Sequence, residues 1–165
     1  DIGTGSGCIA VSLKRRIRKA NVWACDLSPA ALEVAQKNAT ELGTAVKFFQ
    51  FDFLNRKEWN KLPSFDIIIS NPPYIPEKDK HLMQPNVLNF EPTTALFVPD
   101  EDPLLFYKSI AEFGKEHLNK DGQIYLEIHE NMGEPVCTLF QLAGYDTELK
   151  KDMQQKDRMI RSGLV

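Results

Sequence analysis

The sequence predicts an α/β fold: a doubly wound, mostly parallel sheet of seven strands whose C-terminal strand is antiparallel. Three observations carry this. Short apolar runs alternate with segments whose apolar residues recur at helical spacing, the β-α-β signature of a parallel sheet with right-handed crossovers. A glycine-rich loop, Gly3-Thr4-Gly5-Ser6-Gly7, stands before the first helical segment. Asp26 and Asp52 then close two successive apolar runs, at the carboxyl ends where open α/β sheets bind ligands.

The glycine loop normally leaves the end of a buried strand, and only Asp1 and Ile2 stand before it. The first strand is therefore expected to be cut short and the chain to be part of a longer protein. Ile9, Ala10, Leu13 and Ile17 predict a helix over 7–19, with Lys14, Arg15, Arg16, Arg18 and Lys19 on its solvated face. Residues 22–25 read as the next strand. Ser28 and Pro29 supply an N-cap and a first-turn proline, Leu32, Ala35, Ala39 and Leu42 a buried stripe, and Gly43 a stop. A third strand covers 46–51.

Phe65-Asp66-Ile67-Ile68-Ile69 is rich in β-branched residues and reads as a buried strand reaching Ser70. Asn71-Pro72-Pro73-Tyr74 stops it, because two prolines cannot donate ladder hydrogen bonds. Residues 75–102 carry several prolines without a clear period and read as a long functional loop. Asp102-Pro103 is expected to cap the next helix, with Phe106, Ile110 and Phe113 inward and Leu118 at its end. A fifth strand follows over 123–128, a helix over 131–142 ended by Gly144, and an antiparallel pair over 145–149 and 158–165.

The length suits one domain, residues 1–165, with a proper core. Apolar content of 42% and charged content of 26% are ordinary for a globular protein. No run is long enough to span a bilayer, so no membrane association is expected. A net charge of −3 gives no electrostatic attraction to nucleic acid. Cys8, Cys25 and Cys137 lack metal-ligand spacing and fit a reducing, cytoplasmic setting; His81, His117 and His129 are too dispersed for a metal site.

The loop glycines permit tight turns and close backbone approach, and the helix start behind them offers free N–H groups. Asp26, about 20 residues beyond the loop, stands where a carboxylate accepts both ribose hydroxyls. A dinucleotide fingerprint would need glycine where Cys8 stands, and no P-loop lysine follows. NAD and ATP are thereby disfavoured. S-adenosylmethionine, which lacks phosphate, remains, with its carboxylate toward the loop amides, its ribose toward Asp26 and its adenine amino group toward Asp52.

Asp1-Ile2-Gly3-Thr4-Gly5-Ser6-Gly7 together with Asn71-Pro72-Pro73-Tyr74 resembles the class I S-adenosylmethionine-dependent methyltransferases that modify planar nitrogen. Among these, three stretches resemble the HemK/PrmC family of release-factor glutamine N5-methyltransferases. They are Asn71-Pro72-Pro73-Tyr74-Ile75-Pro76, Phe90-Glu91-Pro92-Thr93-Thr94-Ala95-Leu96, and Asp157-Arg158 followed by Arg161. The resemblance implies a seven-stranded Rossmann-like methyltransferase sheet and an N-terminal helical recognition domain outside this chain. It implies a cofactor site of Asp1, Gly3, Thr4, Gly5, Gly7, Asp26, Leu27, Asp52, Phe53 and Asn71. Catalysis would fall to Asn71, Pro72 and Tyr74, and substrate contact to these with Pro73, Phe90 and Glu91. No metal is implied. The family commonly carries Glu-Ile-Gly after the fifth strand, whereas this chain has Glu127-Ile128-His129. The implied substrate is the glutamine of the Gly-Gly-Gln motif in peptide-chain release factors. Asn-Pro-Pro-Tyr is also shared with adenine-N6 and guanine-N2 methyltransferases of DNA and RNA, so nucleic-acid methylation is the alternative. A non-catalytic relative is the third reading, disfavoured by the intact loop, Asp26 and Asn71.

Overall fold

A computed structural model describes residues 1–82 and 96–165. They form two compact units, Asp1–Trp59 and Asn60–Val165.

The first unit contains α1 (Cys8–Arg16), β1 (Trp23–Asp26), α2 (Pro29–Glu41) and β2 (Lys47–Gln50), followed by a 3-10 turn beginning at Arg56. Ile2 bridges Cys25 in parallel, and β1 pairs in parallel with β2 from Trp23↔Lys47 to Asp26↔Gln50. Three parallel segments therefore send their carboxyl ends to one edge. Ala10, Val11, Ala24, Cys25, Ala35 and Ala39 make a core of small residues, closed by Phe51, Phe53 and Trp59. Ser28 caps α2 by accepting the Ala31 N–H, and Pro29 opens the helix, as the sequence predicts. Gly43, at φ +62°, ends it.

Two expected stripe residues are exposed, and Ile9, Leu13 and Leu32 are half-buried. Ile17 is half exposed because α1 stops at Arg16 and Ile17 leaves the helical conformation. The Lys14 ammonium then donates to the Arg18 and Ala20 carbonyls and closes the helix end. Leu42 lies past the last turn of α2, at the cap, and faces solvent.

The second unit holds β3 (Phe65–Ser70), β4 (Ile75–Pro76), a 3-10 turn (Glu77–Leu82), β5 (Phe97–Val98), α3 (Leu105–His117), β6 (Leu118–Glu127), α4 (Gly133–Leu142), β7 (Tyr145–Lys151) and β8 (Asp157–Leu164). The sheet order is β3-β6-β8-β7, with β3 and β6 parallel and β8 antiparallel to both its neighbours. Ile68, Ile124, Leu126 and Ile160 are buried, along with Tyr107, Ile110 and Phe113 of α3 and Val136 and Phe140 of α4. The Tyr145 hydroxyl donates to the Ala111 carbonyl at 2.6 Å and ties β7 to α3.

Three expectations are corrected here. The described residues between 75 and 102 carry regular structure: β4 and β5 pair in parallel, and a 3-10 turn follows β4. Asp102 does not cap α3 with its side chain. The helix starts at Leu105; the Asp102 carbonyl accepts the Leu105 N–H, while its carboxylate accepts from Lys108 at 2.6 Å. Finally, β6 begins at Leu118, not near Gln123. A register shift lets Leu118 pair with Phe65 before Gln123 pairs with Ile67, and Asp121 takes φ +63° in the interruption.

Candidate active site

In the first unit the glycine loop joins the end of the Ile2 segment to α1. Gly3, Gly5 and Gly7 have φ of +68°, +54° and +79°, the left-handed region that favours glycine. Their surroundings differ. A Cβ on Gly3 or Gly5 would meet nothing within 4 Å. A Cβ on Gly7 would lie 2.9 Å from the Ala35 Cβ and 3.4 Å from the Phe48 ring. Gly3 and Gly5 therefore border open space, whereas Gly7 serves the close approach of α1 to α2.

The loop is braced from both sides. Asp1 Oδ2 accepts the Thr4 hydroxyl at 2.6 Å and the Ala10 N–H at 3.2 Å. Asp26, the last residue of β1, accepts the Gly5 N–H at 2.8 Å on one oxygen and the Ser28 N–H at 2.9 Å on the other. The Thr4 N–H donates to the Cys25 carbonyl, and Asn38 of α2 donates to the Ser6 carbonyl. Asp1 Oδ1 is buried and among the described residues has no hydrogen-bond partner. Asp52, just beyond β2 on the same edge, is exposed and accepts the Leu54 N–H with its side chain. Beside Asp26, Leu27 is 55% exposed, while Phe53 is buried and stacks on Trp59 with ring centroids 5.5 Å apart. Of the expected cofactor residues in this unit, the loop, Asp26, Leu27 and Asp52 share one edge; the rings of Phe53 and Trp59 belong to the core. Burial pushes the Cys25 thiol above its ordinary value, which keeps it from serving as a nucleophile.

In the second unit β3 ends at Ser70, and Asn71 to Tyr74 follow at the carboxyl edge. The parallel register Ser70↔Leu126 brings the end of β6, with Glu127, Ile128 and His129, to the same edge. Pro72 is buried and Asn71 exposed. Among the described residues the Asn71 side chain has no hydrogen-bond partner. Two prolines explain why it stands free: they end the ladder and fix the backbone direction beneath it. Tyr74 packs its ring against His129, centroids 5.7 Å apart and tilted by 59°. Phe90 and Glu91 lie outside the described residues.

Sequence reasoning did not find the side chains around Tyr74. Tyr107 of α3 is buried, donates to the Glu127 carbonyl at 3.2 Å, and has its hydroxyl pKa raised by burial and then by Tyr74 and Glu127. Glu130 binds Lys156 at 2.5 Å and lies 3.8 Å from Arg158, whose Nε donates to Asp152 at 3.2 Å. The signals in sequence were the Asp157-Arg158 pair and the histidine at 129, neither of which reveals a partner alone. Among the described residues no group of three His, Cys, Asp or Glu could hold a metal ion.

An α/β framework with a glycine loop and strand-end carboxylates is the Rossmann-like arrangement. Solved structures agree: a methyltransferase of Pyrococcus furiosus matches with a TM-score of 0.68 over 99% of this chain and 73% of that one, at 17% identity. The chain belongs to the Methyltransferase small domain family, whose model matches residues 1–88. Curated relatives are closer in sequence. The chain is 46% identical over 161 residues to the release factor glutamine methyltransferase of Bacteroides thetaiotaomicron, spanning 97% of this chain and 58% of that protein. It is 44% identical over 162 residues to that of Flavobacterium psychrophilum, spanning 98% and 56%. The chain thus spans a little over half the length of these relatives.

Proposed function

We propose that this chain carries the S-adenosylmethionine-dependent catalytic part of a glutamine N5-methyltransferase acting on the Gly-Gly-Gln motif of peptide-chain release factors in the cytoplasm. The observation that carries this is the uncommitted amide of Asn71 at the end of β3, in a chain 46% identical to a release factor glutamine methyltransferase. The seven-stranded sheet with its shortened first strand belongs to the same reading.

The first unit fits the cofactor. Gly3 and Gly5 border open space, and the buried Asp1 Oδ1 lacks, among the described residues, a partner that a polar ligand would supply. Asp1, Gly3, Thr4 and Gly5 would hold its amino-acid end, Asp26 its ribose, and Leu27, Asp52 and the Phe53 backbone its base, with Gly7 shaping the loop from behind. When bound, S-adenosylmethionine supplies an electrophilic methyl carbon.

A glutamine amide is a poor nucleophile because its lone pair is delocalised into the carbonyl. Asn71 Oδ1 and the Pro72 carbonyl accept its two N–H bonds, which orients the nitrogen and stabilises positive charge developing on it. Pro72 and Pro73 keep that carbonyl pointing one way. Tyr74 packs on the flat amide and excludes water. The excess proton leaves to solvent after transfer, so no strong base is required. Among the described residues no helix is long and apolar enough to cross a membrane.

The test is a labelled methyl-transfer assay offering release factor, a release factor with the motif glutamine replaced, ribosomal RNA and DNA. Label should enter only the intact release factor. Label confined to nucleic acid would overturn the proposal.

A further inference from the structure

His129 stands two residues past the end of β6, on the edge that carries Asn71 to Tyr74. Three sets of contacts fix it. Its Nδ1 accepts the Asn131 N–H at 3.2 Å, so the neutral ring carries its proton on Nε2. Its carbonyl accepts the Met132 N–H at 2.8 Å. Its neighbours on both sides are tied to the β7–β8 hairpin: the Ile128 N–H donates to the Arg158 carbonyl, and Glu130 pairs with Lys156. The ring left between these anchors meets Tyr74 with centroids 5.7 Å apart and the ring planes tilted by 59°. Ring pairs at this separation attract one another.

We propose that His129 is a positioning residue for the reaction: its imidazole sets the orientation of the Tyr74 ring, and with it the plane available to a flat side-chain amide. This rests on the assignment of Tyr74 to the substrate amide. The histidine does not touch the reacting atoms. It adds a ring contact to the interactions that restrict Tyr74 before substrate binds.

Two substitutions separate the ring from the hydrogen bond. His129→Asn keeps an acceptor for the Asn131 N–H and removes the aromatic ring. His129→Phe keeps the ring and removes the acceptor. The site is half-buried, so both variants should fold with unchanged melting temperature. The readouts are the Tyr74 ring resonances in tyrosine-labelled protein, assigned with Tyr74→Phe, the S-adenosylmethionine Kd, and kcat/KM on release factor. For His129→Asn the Tyr74 resonances should move and kcat/KM should fall about two- to tenfold, with the cofactor Kd unchanged. His129→Phe should restore both toward wild type. Unmoved resonances in His129→Asn, an unchanged kcat/KM, or an equal loss in His129→Phe would each overturn the proposal. If the resonances behave as expected but the wild-type chain methylates no release factor, the ring contact stands and the functional assignment fails.

Discussion

Asp26 and Asn71 both stand at the carboxyl ends of parallel strands, and they treat their hydrogen-bonding capacity in opposite ways. Asp26 holds the Gly5 and Ser28 N–H groups, one on each oxygen, before any ligand arrives. Asn71 is exposed, and among the described residues nothing engages its side chain. The first arrangement builds a loop, the carboxylate shaping the backbone. The second leaves acceptors open for a group that comes and goes. A site for a tightly held small molecule gains from a fixed cradle, whereas a site that orients a reacting amide must keep its acceptors uncommitted.

Substitutions at the two positions should therefore fail differently. Asn71→Ala is expected to lower kcat by about 100-fold or more, with S-adenosylmethionine affinity by calorimetry and melting temperature close to wild type. Retained turnover would remove Asn71 from the mechanism. Asp26→Ala should do the reverse in kind: it frees two backbone N–H groups and loosens the loop. Cofactor affinity should fall about 10- to 100-fold and stability by about 2–3 kcal/mol, read by calorimetry and urea unfolding. A variant that loses affinity with no loss of stability would mean that Asp26 touches ligand without bracing the loop.

The glycines sharpen the same contrast within one loop. Gly7→Ala forces a Cβ against Ala35 at a left-handed backbone, and should cost about 2–4 kcal/mol in urea unfolding. Gly3→Ala meets open space and should cost about 1–2 kcal/mol from backbone strain alone. Equal losses would show that packing against α2 is not what Gly7 provides.

The smallest expected effect lies in the hairpin charges. The Lys156 ammonium holds the Glu130 carboxyl below the ordinary carboxylate range, and the Lys156 and Gln154 N–H groups do the same for Asp152. A carboxylate with a lowered folded-state pKa contributes stability above its unfolded value and loses it as pH falls through the folded value. Melting temperatures of wild type and Glu130→Gln should therefore differ slightly near neutrality and converge in acid. These groups are exposed, so solvent screening keeps the difference small.

How much of this was legible in the sequence follows from the range of the forces involved. β3 reads true in its span, Phe65 to Ser70, because its β-branched run and the Asn-Pro-Pro stop are both local. The expected full burial fails: Asp66 and Ile67 are exposed, and β-branching reports a strand without reporting what covers its faces. The start of α2 reads true because Ser28 and Pro29 act within one turn. The early start of β6 was not legible, since it depends on Leu118 finding Phe65 across an interrupted register. The pairing of Ile75 with Phe97 was hidden for the same reason: two-residue strands far apart in sequence have no periodicity to show. The tight turns of the glycine loop and the strand-end places of Asp26 and Asp52 were legible from residue type and position. Gly7 facing Ala35 and His129 facing Tyr74 needed coordinates, because each is a contact between elements that sequence spacing does not join.

The lysine that closes α1 has a consequence for surface chemistry. Lys14 donates to two carbonyls, whereas Arg15, Arg16, Arg18 and Lys19 face solvent. In an amine-acylation footprint Lys19 should react at the rate of a free amine, and Lys14 only when the end of the helix frays. The lag between these two lysines is a clock for local opening at the C-terminal end of α1.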